Sequence, residues 1–91
     1  IGVGATFDTV GHLAKLALMR PIDMDSTDER VAAFEHELLD AVNATGIGAA
    51  ALGGSTTALN VHVETAPCHI AALPLAINMG CSAMRRGTYE L

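Results

Sequence analysis

The sequence has no tryptophan, one tyrosine and two phenylalanines, so aromatics make up 3% of a chain that is 51% hydrophobic. Its core must be built from Ala, Leu, Val, Ile and Met. Such small side chains fill an interior only if backbones approach closely or the core continues in another chain. Cations are also scarce, five Lys and Arg against ten Asp and Glu, for a net charge of −5. That balance argues against a nucleic-acid partner, which wants a basic face. No apolar run approaches the ~20 residues of a membrane span. The start, Ile1-Gly2-Val3-Gly4, has no initiator Met, no basic stretch and no cleavage pattern, so it reads as cut or processed rather than as a signal peptide. With two cysteines in 91 residues, a disulfide between Cys68 and Cys81 would have to cross mostly extended sequence. At about 3.3 Å per residue, an extended segment carries the two too far apart for that bond. The reading is a reducing, cytoplasmic setting.

The chain is long enough for one small domain. It would bury only about 60–65% of its unfolded surface, which makes it marginal alone. Gly2 and Gly4 do not complete a dinucleotide fingerprint, because Phe7 stands where the third glycine belongs. Thr6 or Asp8 is the expected cap of a first helix running to about Met19, with Val10, Leu13, Ala14, Ala17 and Leu18 on one face. Lys15 and Arg20 lie in its second half, where they favour the helix dipole, and Arg20-Pro21 ends it. Ser26-Thr27-Asp28-Glu29 reads as a capping box opening a second helix. Val31, Phe34, Leu38, Ala41 and Val42 form its apolar stripe, Asp28, Glu35, Asp40 and Asn43 lie largely opposite, and Gly46 is the natural stop. The Gly-rich stretch 46–57 lacks the Gly-Lys-Ser/Thr of a phosphate loop. Alternation of Leu59, Val61 and Val63 predicts a strand over 58–65, and 72–79 a second, placed by Pro74 at an edge, end or bulge. The expected fold class is α+β: two helices packed on a small β-sheet, with 1–4 as a candidate further strand.

The reactive groups gather between Cys68 and Arg86. Cys81 ends an apolar run and offers a soft thiolate for a metal or an iron–sulfur cluster, or is a small buried hydrophobe. His69 at a strand entrance is a candidate general acid, or a hydrogen-bonded surface side chain. A zinc site from His62, Cys68, His69 and Cys81 matches no common ligand spacing. His62 alternates with apolar neighbours and reads as facing solvent or an interface, and His12 and His36 read as helix surface. Arg85 and Arg86 suit a carboxylate or form a solvated basic pair.

Several runs, taken together and in order, carry a resemblance: Ile1 to Phe7, Leu16-Ala17-Leu18-Met19-Arg20-Pro21-Ile22, Gly46-Ile47-Gly48, Leu52 to Leu59, Val61-His62-Val63-Glu64, His69-Ile70-Ala71 and Cys81-Ser82-Ala83-Met84-Arg85-Arg86. The chain resembles the α subunit or N-terminal region of class I iron–sulfur fumarate hydratases, the family that also holds L(+)-tartrate dehydratase. The resemblance implies that residues 1–91 are the C-terminal segment of a fumarase-type iron–sulfur α domain, part of a larger catalytic domain with no complete second domain. It implies a hydro-lyase interconverting fumarate and L-malate, with tartrate dehydration as the alternative. It implies a [4Fe–4S] cluster on three Cys, of which Cys81 matches the last and the other two lie outside this chain; Cys68 does not substitute. His69 matches an active-site His tied to substrate binding and proton transfer. The implied partners are a small dicarboxylate, the rest of the α region and a β subunit or domain, in an oligomer. A single Cys cannot hold a cubane, so the chain alone is expected to be inactive. A non-catalytic structural module is the reading for the isolated segment.

Overall fold

The computed structural model describes residues 1–81. The architecture is α+β, two helices against a small three-stranded mixed sheet. Strand β1 (Gly2–Gly4) is central, parallel to β2 (Glu64–Ala66) on one side and antiparallel to β3 (Leu75–Ala76) on the other. Gly2 faces Glu64 and Ala76, and Val3 faces Thr65 and Leu75. The segment 1–4 is therefore the hub of the sheet. The two expected strands are shorter than their apolar patterns. Of 58–65 only the end joins the ladder, and of 72–79 only Leu75–Ala76. β3 begins directly after Pro74 and lies at an edge, where a missing N–H costs no ladder bond.

Two glycines set the spacing of these layers. A Cβ on Gly2 would stand 2.7 Å from both Val10 O and Ala14 N of the first helix, α1 (Val10–Met19). A Cβ on Gly4, at φ +99°, would stand 1.9 Å from Ala66 O. Gly2 lets the helix lie directly on the strand and Gly4 lets β1 run close against the end of β2, which is how a chain poor in large side chains closes a core. That core consists of Val10, Ala14, Ala17 and Val63.

The cap of α1 is Thr9 rather than Thr6 or Asp8. Thr6 instead joins Thr9 through their hydroxyls at 2.8 Å and accepts Val10 N–H at its carbonyl. The helix ends at Arg20, whose extended backbone (ψ 141°) is what a residue before proline requires. The second helix, α2 (Glu29–Ala44), is capped by Asp28, whose Oδ1 accepts from Arg30 N and Val31 N. Ser26 is not its cap: its Oγ accepts Asp28 N–H at 3.2 Å, ahead of the helix, and its own N–H donates to Glu35 Oε1 at 2.9 Å. Gly46 follows the helix at φ +70°, as its stop should. The apolar stripe of α2 is only partly covered, with Phe34 45% exposed, whereas Glu35 is the one buried residue of that helix. α2 is thus joined to the sheet through a carboxylate. Asn43, expected on the outer side, is half-buried. Its Oδ1 accepts from Thr57 N and Ala58 N, both at 2.8 Å, and holds the end of the Gly-rich segment.

Candidate functional site

The groups singled out from the sequence do not converge. Cys68, His69 and Cys81 are exposed, and both cysteines are free thiols. His62 is half-buried rather than solvent-facing. Its Nδ1 lies 3.2 Å from Ala17 O, at the end of α1, and its Nε2 3.3 Å from both Ile22 O and Asn60 Nδ2. Asn60 Nδ2 also donates to Ile22 O. A ring with its proton on Nδ1 donates to Ala17 O and accepts from Asn60. His62 is a fastener between the α1 terminus and the segment entering β2. Among the described residues no three His, Cys, Asp or Glu side chains come together as a metal site, so the zinc reading is not assembled. Arg85 and Arg86 lie outside the described residues.

His69 sits on a hydrogen-bonded turn. Its Nδ1 accepts Ala71 N–H at 3.0 Å and its carbonyl accepts Ala72 N–H at 2.9 Å. The neighbouring Cys68 thiol donates to Ala72 O at 3.1 Å. Both ends of the surrounding loop are fixed at the end of β1: Ala5 N–H, just past the strand, donates to Pro67 O at 3.2 Å and Gly4 N–H to Pro74 O at 2.9 Å. The ring therefore stands on a framed turn with one nitrogen occupied by backbone. Exposed apolar side chains surround it in sequence, Ile70, Leu73, Leu75, Ile77 and Met79. Cys81 follows them.

The most organised polar cluster is one that sequence reasoning missed. Arg20 Nη1 meets Glu35 Oε2 at 2.7 Å, and its Nη2 meets Glu64 Oε1 at 2.6 Å and Val63 O at 3.0 Å. The Arg20 and Glu35 side chains are 13% and 1% exposed. Glu35 also accepts Ser26 N–H and Val63 N–H, the latter at 2.6 Å. A charge this deep survives only when its oxygens are fully hydrogen-bonded. Burial pushes the Glu35 carboxyl up. The Val63 and Ser26 N–H groups and the Arg20 guanidinium outweigh it and hold the carboxyl below its ordinary value of 4.5. Burial likewise opposes the charge on Arg20, but its bonds to Glu64 and Glu35 prevail and raise its pKa. Beside the cluster lies a cleft of about 250 Å³ lined by Arg20, Met24, Asp25, Ser26, Thr27 and Glu64. Asp25 and Glu64 line it and the guanidinium is committed, so a dicarboxylate is repelled there rather than bound. The cluster is structural: it ties α2 and the 20–26 linker to β2.

A carboxyl depressed on folding stabilises the native state above its unfolded pKa and loses that contribution as pH falls through the folded one. The melting temperature should therefore drop as pH is lowered below 4.5. A Glu35→Gln protein should show a flatter dependence over the same interval. Equal slopes for the two in a pH series of thermal melts would contradict this assignment.

The fumarate hydratase (fumerase) family model matches residues 1–90. The chain belongs to the fumarate hydratase family. It is 49% identical over 86 residues to a putative L(+)-tartrate dehydratase subunit alpha of Methanocaldococcus jannaschii, covering 94% of this chain and 30% of that protein. It is 33% identical over 91 residues to the L(+)-tartrate dehydratase subunit alpha of Escherichia coli strain UTI89, covering 100% and 30% respectively. This fumarate hydratase family chain thus spans about a third of the length of the relatives it matches. No helix among the described residues is long and apolar enough to cross a membrane.

Proposed function

We propose that this chain is the C-terminal segment of the iron–sulfur α region of a hydro-lyase that adds water reversibly across the double bond of a four-carbon dicarboxylate. The observation that supports it most is the family match over 1–90, on which Cys81 and His69 fall as the two reactive exposed side chains of the reading. The donor set suits one corner of a [4Fe–4S] cluster: Cys81 is a free, exposed thiol, while the Cys68 thiol is engaged with Ala72 O. Cys81 would hold that corner, and the remaining ligands come from outside this chain. When bound, the cluster supplies a Lewis acid for the departing hydroxyl.

His69 is the residue of this chain that meets substrate in this reading. Its turn is exposed, its ring is oriented by Ala71, and the surrounding apolar side chains suit a surface closed by the rest of the enzyme. The cations that a dicarboxylate needs are not supplied by Arg20, which Glu35 and Glu64 already engage. They belong to the remaining α region and to a β subunit or domain, consistent with relatives that are named as alpha subunits. The proposal includes a cytoplasmic enzyme that works as an oligomer.

Fumarate and L-malate are the proposed pair, because the runs Leu52 to Thr57 and His69 to Pro74 resemble fumarases more, although Arg86-Gly87-Thr88 leans toward tartrate dehydratase. L(+)-tartrate is the second reading, favoured by the names of the relatives. The anaerobically reconstituted, assembled enzyme should turn over malate with a kcat/KM at least about tenfold above that for L(+)-tartrate, a margin of about 1.4 kcal/mol. The reverse preference would transfer the assignment to tartrate. Activity on neither would remove the hydro-lyase reading.

A further inference from the structure

We infer that His69 acts as a neutral imidazole that donates a hydrogen bond to substrate from Nε2–H, and not as an imidazolium that gives up a proton. The inference rests on the proposed placing of His69 at the substrate, and it concerns what the ring does there.

The argument is one of donors and acceptors. Ala71 N–H points at Nδ1 from 3.0 Å, and a backbone N–H only donates. Nδ1 must therefore offer its lone pair, which leaves the ring proton on Nε2. A ring protonated at both nitrogens would set Nδ1–H against Ala71 N–H, with neither able to accept. Relief would require the exposed ring to swing away from Ala71 N–H, because the turn that carries this N–H is itself held at several points. Ala72 N–H is bound to His69 O, the Cys68 thiol to Ala72 O, and the loop ends to Gly4 of the central strand and to Ala5 just after it. The groups on this turn do not compensate a positive ring. Gly4, Ala5, Pro67, Pro74, Ala71 and Ala72 contribute backbone only. Cys68 is the one titratable side chain within the turn, and its thiol is engaged. Among the described residues no ion pair involves His69. What remains is one oriented N–H on an exposed side chain. Its chemical match is an oxygen carrying or gaining negative charge, a substrate carboxylate or the hydroxyl oxygen at which water leaves. A preorganised donor at such an oxygen stabilises the transition state without transferring its proton.

The test is the pH dependence of kcat in the assembled holoenzyme, for the wild type, His69→Gln and His69→Ala. The side-chain amide of Gln reaches roughly as far as Nε2 and donates without titrating in this range. His69→Ala should lower kcat by about 10²–10³-fold, the loss typical of a transition-state donor. His69→Gln should recover at least tenfold over Ala. The wild type should lose kcat toward acid, as protonation of Nδ1 disrupts the Ala71 bond, and His69→Gln should lack that acid limb. A wild-type limb that instead falls toward alkaline pH and vanishes in His69→Gln would identify a proton-giving imidazolium and overturn the inference. So would a Gln variant no more active than Ala. Full activity in His69→Ala fails differently, because it removes His69 from the site and with it the reading on which the inference rests.

Discussion

An Arg20→Met protein should be about 3–5 kcal/mol less stable than the wild type, the cost of removing one partner from a buried ion pair. Methionine keeps most of the stem and its packing, so the loss isolates the guanidinium. Glu35 would retain Ser26 N–H and Val63 N–H but would hold a buried charge with no counterion. Glu64, with a side chain 37% exposed, can turn to water and loses less. Glu35→Gln alone removes the charge, leaves Arg20 its contact with Glu64, and should cost less than Arg20→Met. The double variant should fall short of the sum of the singles by about 0.5–3 kcal/mol, since both single changes remove the same Arg20–Glu35 contact and Arg20→Met alone leaves a buried charge behind. Denaturant titrations of the four proteins measure this coupling. Strict additivity would mean that the pair, despite its 2.7 Å separation, is not an energetic unit.

The second large effect belongs to Cys81. A Cys81→Ala enzyme should lose at least about 100-fold in kcat, with iron and sulfide falling together, because even groups that only orient a metal ligand are worth about 10–100-fold. Cys68→Ala should keep its iron and sulfide. The contrast follows from position: the Cys68 thiol faces the carbonyl of its own turn, whereas Cys81 lies at the far end of the exposed apolar run. Iron and sulfide analysis after anaerobic reconstitution reads both proteins. Full cluster content in Cys81→Ala would remove the assignment, and loss of cluster in Cys68→Ala would mean that the two thiols had been ranked in the wrong order.

The helices were legible because the 3–4 spacing of apolar residues is a local property, and Pro21 and Gly46 mark stops by backbone geometry alone. The strands were legible as apolar segments but not in extent. Leu59, Val61 and Val63 alternate as a strand should, yet Asn60 and His62 fasten their side chains to Ile22 O and Ala17 O, and the ladder starts only at Glu64. Glu35 was misplaced because a helical wheel scores polarity and cannot see a partner. Its cation ends the previous helix, and its amide donors are Ser26 and Val63. The same holds for Arg20, which as a C-terminal cation suits the dipole but is turned toward two carboxylates. An arginine before proline beside a glutamate at the centre of the next helix was the available signal. His69 and Cys81 stood out through family motifs rather than through spacing. Only the backbone geometry around the turn distinguishes the two nitrogens of the His69 ring.

The central strand has a consequence for the order of assembly. Within this segment β1 is made before both of its neighbours, Glu64–Ala66 and Leu75–Ala76, which follow only after both helices. At a synthesis rate of about 5–20 residues per second, Gly2 waits roughly 3–12 s for Glu64 to follow it. α1 waits with it, since the glycine surface it covers has no sheet to belong to. During that interval α2 can coil locally, but Glu35 has neither the Val63 amide nor the β2 strand that shelters its charge. The sheet and the ion cluster must therefore close together, late and over long loops, which makes this a slow-folding segment by topology despite its helices. Until then β1 lacks both of these partners, and its open edges are available to any other strand or chaperone within reach.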